Sequence, residues 1–216
     1  MKSYSASELR RLYPDKWIMP YNRLFALVDP TSKDVMYIEQ YGPPDGFFTE
    51  AWRANHLART SDLVKKCYRE GNTTVFILSQ GATQLNLVPS FSPIGIRECR
   101  VVKDKVYISI AGLGGGGVSA SFSRGMAKGV ISTQIIAKGG GNQMGEGRIC
   151  LPKRRLLLVG VDDTDNDVVG ATYGLVHTIT TEVCKKYGAL YVIHNNVQLY
   201  PYNHHKTKNC MSTVVG

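Results

Sequence analysis

Three carboxylates and a hydroxyl stand together at Asp162, Asp163, Thr164 and Asp165, directly after the apolar run LLLVGV at residues 156–161. Carboxylates this close repel one another, so the grouping is stable only if a cation neutralises it. Mg2+ is the cation it suits. That ion takes oxygen ligands, accepts one or two carboxylates, keeps several waters and leaves positions for phosphates. The sequence therefore assigns Asp162, Asp163 and Asp165 to metal and places the Thr164 hydroxyl beside them. A helix predicted from Gly170 would aim its free N–H groups at the same loop, which favours phosphate. The alternative is an acidic surface turn with an N-cap, because Asp and Thr suit both places.

A second group with chemical potential lies in AGLGGGGVSASFSRGMAKGV, residues 111–130. Glycine lets backbone approach a ligand closely, and consecutive N–H groups can form an anion nest. Gly114, Gly115, Gly116 and Gly117 are thus candidates to cradle phosphates, with Ser119, Ser121, Ser123, Arg124 and Lys128 following on a helix predicted over 119–128. The segment has neither a P-loop ending nor the standard dinucleotide-binding spacing, and a flexible connector remains the alternative. Near the other end, His205, Lys206 and Lys208 could balance triphosphate charge. His194, His204 and His205 lie close in sequence but lack the spacing of a zinc site.

The elements that must position these groups read as follows. A short helix over 7–12 precedes strands at 24–28 and 35–40, which form a hairpin. A long helix is expected over 49–69, then strands at 73–78, 99–102 and 106–110. Twelve of the 22 glycines fall between Gly112 and Gly147, and the cluster at 138–147 reads as a linker or lid. After residue 150 the apolar run 156–161 has the look of a strand buried on both faces. It is followed by the acidic loop, a helix over 170–187 with Leu175, Val176, Ile179 and Val183 on its apolar stripe, and a strand at 189–193. The expectation is an α/β protein: an α+β module with a mixed sheet over 1–150, and a βαβ unit over 151–216. The last residues stop within a β-prone run, which reads as a fragment of a longer protein.

Composition bounds the rest. The chain is 43% hydrophobic and 20% charged, as expected of a globular protein. It lacks the roughly 18 consecutive apolar residues that a membrane helix needs. Charges in the first residues speak against an export signal, so a cytoplasmic location without membrane attachment is expected. Five unclustered cysteines argue for small buried side chains in a reducing compartment. The net charge of +9 favours a polyanionic partner, a nucleotide or an RNA. A protein partner and an oligomer are left open.

The segment VGVDDTDNDVVGATY, residues 159–173, resembles the signature of the archaeal agmatidine synthases, which modify the anticodon of an isoleucine tRNA. The resemblance implies ATP and Mg2+ as cofactors, metal on Asp162, Asp163 and Asp165, and Thr172 at the position of a phosphorylated threonine. Ala171 stands where that family has Cys. Lys206-Thr207-Lys208-Asn209 is similar to its Lys-Thr-Arg-Gly-Asn segment, with one more basic residue and no Gly. Over the whole chain, the order of motifs resembles the methanogenesis marker protein eleven family. Its cues are Trp17-Ile18-x-Pro20-Tyr21, the glycines at 112–117, Asp162-Asp163-Thr164-Asp165 and Lys206 to Cys210. The function these resemblances imply is ATP-dependent phosphoryl transfer in a methanogenic archaeon, with Asp163, Thr172 and Lys206 as catalytic residues. The alternatives are a nucleotide-binding assembly factor without turnover and a tRNA-modifying enzyme.

Overall fold

The computed structural model describes residues 2–42, 51–166, 168–206 and 210–216. The first residues of the expected long helix and Lys208 lie outside them. The chain divides into two compact units, Met1–Arg155 and Leu156–Gly216. It has mixed α and β content, with a mixed sheet in the first unit.

In the first unit, β1 (Ser3–Tyr4) leads into α1 (Ala6–Leu12). Ser5 and Glu8 cap that helix reciprocally: the Ser5 hydroxyl accepts from the Glu8 amide at 3.2 Å, and the Ser5 amide donates to the Glu8 carboxylate at 2.7 Å. Strands β2 (Arg23–Val28) and β3 (Val35–Gln40) form the expected hairpin. Its turn is closed by Asp29, whose carboxylate accepts from the Thr31 amide at 2.7 Å.

The expected helix over 49–69 is two elements. Helix α2 (Ala51–Thr60) ends where the Ser61 hydroxyl donates to the Ile96 carbonyl at 2.5 Å, and β4 (Val64–Glu70) follows. The VKKCYRE segment has helix-compatible residues, but β5 (Thr73–Leu78) offers it a full antiparallel edge. Long-range pairing overrides local propensity there.

Strands β6 (Gly81–Ala82), β7 (Ile94–Val102) and β8 (Lys105–Gly112) precede α3 (Gly114–Val118). That helix runs without a break into a π-helical turn, Ser119–Ser123, so the helix starts five residues before the expected one and ends earlier. Next come β9 (Ser132–Ala137) and β10 (Gly145–Arg154).

The sheet order is β4-β5-β3-β2-β10-β8-β7-β6, with β9 on β10 and β1 on β9. Among the described residues, β2 with β10 is its parallel pair. Leu24, Tyr37, Phe76, Ile96, Ile108 and Leu151, all fully buried, belong to its main core.

The glycines of this unit mainly serve packing. A Cβ at Gly117 would fall 2.7 Å from the Gly112 carbonyl oxygen and 2.9 Å from the Gly145 amide nitrogen. Bare Cα atoms here let α3 lie against the strands. The expected lid at 138–147 is partly strand for this reason, since Gly145 and Gly147 belong to β10.

The second unit is a three-stranded sheet with one helix: β11 (Val159–Val161), α4 (Thr172–Tyr187), β12 (His194–Gln198) and β13 (Met211–Val215). The order is β11-β13-β12, and both pairings are antiparallel. The expected βαβ unit is therefore split, with β13 between the two parallel strands. Gly188 ends α4 in the left-handed conformation, φ 65°. The following strand begins at His194, not at 189.

The apolar run 156–161 is not a strand buried on both faces. Its last three residues are strand, and Leu157 and Leu158 are exposed. A three-stranded sheet with one helix has too little cover to bury both sides of an edge strand. No helix among the described residues is long and apolar enough to cross a membrane.

Candidate functional site

The acidic loop runs from the end of β11 to the start of α4, and its shape depends on Gly170. That residue has φ 120°, and a Cβ on it would lie 2.7 Å from the Asp165 Cα. Glycine thus allows the chain to fold back so that Asp165 meets the helix start. Asn166 braces the return, its side-chain oxygen accepting from the Val168 and Val169 amides at 2.9 and 3.0 Å. Asp163 takes the left-handed conformation, φ 55°, and its amide donates to the Asp162 carboxylate at 2.8 Å. Asp is among the few residues with a side chain that tolerate this backbone.

A cavity of about 160 Å3 opens within this unit, lined by Asp162, Asp165, Ala171, Thr172, Tyr173, Asn196, Met211 and Thr213. Two of the three expected metal carboxylates therefore share one space, and Asp163 is not among its lining residues. Among the described residues, no group of three or more His, Cys, Asp or Glu side chains is close enough to hold a metal. The donor set at the cavity is two carboxylates, hydroxyls from Thr172 and Thr213, and the Asn196 amide. These hard oxygen donors fit Mg2+, which needs one or two carboxylates and fills its other positions with water or phosphate. A volume of 160 Å3 is room for about five waters at ~30 Å3 each. It fits a hydrated cation and a phosphoryl group, and a nucleoside would have to extend beyond it.

Thr172 is the first residue of α4, and its hydroxyl oxygen lies 2.9 Å from that of Thr164. The helix is 16 residues long and, among the described residues, has no side-chain cap at its N-terminus. Its first-turn amides are thus left without intrahelical partners beside the two carboxylates, in the positive end of the helix dipole.

Next to the cavity lies a cluster of which the sequence analysis had singled out His194 alone. Tyr173 stacks on His194 with ring centroids 4.1 Å apart and planes 16° apart. The Tyr191 hydroxyl lies 2.7 Å from His194 Nδ1 and 3.3 Å from His177 Nδ1. Burial first, and then the His177 charge, lower the His194 pKa; burial raises that of Tyr191. Among the described residues, His194 Nε2 has no hydrogen-bond partner. One signal was present: His194 and Asn196 alternate on β12 and so share a face.

The remaining candidates lie elsewhere. Gly114–Gly117 form the first turn of α3 in the other unit. Gly116 and Gly117 are buried, whereas Gly115 has open space around it. Ser119, Ser121 and Arg124 serve the core of that unit rather than an open anion site. Arg124 is fully buried and donates to Glu39 at 2.6 and 3.0 Å and to the Ser119 hydroxyl at 2.6 Å. The Ser121 hydroxyl donates to the Gly117 carbonyl at 2.7 Å. Lys206 is exposed, and its amide donates to the Asn203 carbonyl at 3.3 Å. All five cysteines are free; Cys210 is buried, its thiol donating to the Tyr200 carbonyl at 3.0 Å.

The chain is 41% identical over 196 residues to an uncharacterized protein of the archaeon Methanocaldococcus jannaschii. The match covers 91% of this chain and 64% of that relative. No family model and no solved structure matches the chain.

Proposed function

We propose that the second unit binds a divalent cation and the phosphates of ATP, and that the protein transfers a phosphoryl group. The observation that carries this reading is the meeting of Asp162 and Asp165 with the uncapped start of α4 in one cavity. Asp162 and Asp165 hold Mg2+, which neutralises phosphate charge and polarises the phosphorus–oxygen bonds. The first-turn amides of α4 receive phosphate oxygens. Thr172 is the acceptor hydroxyl if the phosphoryl group rests on the protein. Its oxygen then gains the bond to the γ-phosphorus as the bond from that phosphorus to the β–γ bridging oxygen breaks, ADP leaves with that oxygen, and the hydroxyl proton is released to water. Lys206, which is exposed, supplies positive charge to the phosphates, the role the sequence also gives to Lys208. Asp163 sets the turn through its left-handed backbone.

The archaeal relative accords with the resemblance to the methanogenesis marker protein eleven family, and kinship with that family is part of the same proposal. The test incubates the full chain with γ-labelled ATP, with and without Mg2+, comparing wild type with Asp165→Asn and Thr172→Val. Mg2+-dependent loss of the γ-phosphate that Asp165→Asn abolishes is the expected result. Label on the wild-type protein that is absent from Thr172→Val assigns the acceptor. ATP binding without any turnover would overturn the enzymatic reading and leave a nucleotide-binding assembly factor.

A further inference from the structure

The cavity beside the acidic loop has an aromatic wall built in layers. Tyr173, the second residue of α4, lines it together with Asp162, Asp165 and Thr172. One face of the Tyr173 ring lies on His194, with centroids 4.1 Å apart and planes 16° apart. His194 is in turn nearly parallel to His177, with planes 8° apart and centroids 5.9 Å apart. The Tyr191 hydroxyl stands within hydrogen-bond reach of Nδ1 of both imidazoles and ties the two layers together. Among the described residues, Tyr173 is the one aromatic side chain that lines the cavity.

The stack does not bury Tyr173. That residue is 53% exposed although His194 takes one face of its ring, so the other face is open to solvent. A side chain that lines a cavity and is half exposed stands at the rim. The layers behind fix the plane of the ring before any ligand arrives, which lowers the ordering cost of binding a flat group on it. The cavity, at about 160 Å3, takes a hydrated cation and a phosphoryl group, so the remainder of a nucleotide must leave past this rim. An aromatic face presented there is suited to another ring, because ring pairs stack with their faces offset.

We propose that the open face of Tyr173 is a base-binding surface, on which the purine ring of a nucleoside triphosphate stacks while its phosphates enter the cavity. This inference rests on the phosphate reading of the cavity and adds to it the class of nucleotide. A ring face responds to the area laid on it and not to the donors and acceptors along the edge of the base. A purine covers more of the tyrosine ring than a pyrimidine does. The site therefore holds ATP and GTP alike, and both more tightly than UTP, which carries the same triphosphate.

The test titrates the full 216-residue chain by calorimetry in the presence of Mg2+ with ATP, GTP, UTP and inorganic tripolyphosphate. Wild type is compared with Tyr173→Ala and Tyr173→Phe. Tyr173→Ala is expected to lose about tenfold in affinity for ATP and for GTP and to bind tripolyphosphate as wild type does. That unchanged binding also shows that the variant is folded. Tyr173→Phe keeps the ring and should bind ATP as wild type does, and wild type should bind UTP more weakly than ATP. An ATP affinity that Tyr173→Ala leaves intact would overturn the inference, as would an equal loss for ATP and tripolyphosphate, or UTP held as tightly as ATP. In each of those cases the binding of tripolyphosphate leaves the phosphate reading in place. A wild-type chain that does not bind tripolyphosphate overturns that reading and this inference with it.

Discussion

Replacing Gly170 by Ala tests whether the fold-back of the acidic loop makes the site. Two penalties arise from the structure. The backbone at φ 120° is one that a residue with a Cβ rarely adopts, at a cost of about 1–3 kcal/mol. The new methyl also meets the Asp165 Cα and Cβ at 2.7 Å, and such overpacking costs about 1–3 kcal/mol. Because the loop is exposed and relaxes, the lower end of each applies, about 2 kcal/mol together. That cost falls on the conformation with Asp165 at the helix start, so cation affinity should drop roughly 30-fold. Gly188→Ala is the control. It also replaces a positive-φ glycine, φ 65°, but nothing among the described residues lies within 4 Å of the added carbon, and it is remote in sequence from the carboxylates. Mn2+ titration followed by electron paramagnetic resonance measures both variants. The reasoning fails if Gly170→Ala binds Mn2+ as wild type does, or if Gly188→Ala weakens binding as much.

Two further perturbations follow from the same geometry. Arg124→Met leaves Glu39 charged and unpaired in the core of the first unit, and should lower the stability of that unit by about 3–5 kcal/mol in urea unfolding; a loss below about 1 kcal/mol would contradict the role given to the pair. The His194 pKa is lowered from its ordinary 6.5 by burial and by His177, so the folded unit binds fewer protons than the unfolded chain as pH falls through 6.5. Its stability should be full above that pH and decline below it. Ring proton resonances of His194 check the sign, and a pKa at or above 6.5 would refute it.

Much of the first unit was legible because its strands carry their own signals. The β2–β3 hairpin is bounded by turn residues, and β5 is β-branched throughout its first half. What was hidden depends on partners distant in sequence. Residues 64–70 look helical in isolation and become a strand because β5 needs an edge. The glycines at 114–117 suggested a ligand cradle and those at 138–147 a linker or lid, yet at Gly117, Gly145 and Gly147 they serve the close approach of α3 and the π-helical turn to β10. In the second unit, the acidic loop and the helix at 172–187 were readable from the Asp cluster and from Gly188. The inserted position of β13 was not, since no local pattern encodes strand order. The stripe of Leu175, Ile179 and Val183 was legible but its exposure was not, because periodicity shows that a stripe exists, not what covers it. Thr172, Tyr173 and Asn196 converge on the carboxylates only in the folded unit.

The most direct test of the central claim is Mn2+ affinity in three single variants, Asp162→Asn, Asp163→Asn and Asp165→Asn. If Asp162 and Asp165 together hold the cation, each of their variants should lose at least about tenfold in affinity, or 1.4 kcal/mol, while Asp163→Asn stays close to wild type. Equal losses in all three, or no specific Mn2+ binding by the wild-type chain, would contradict it.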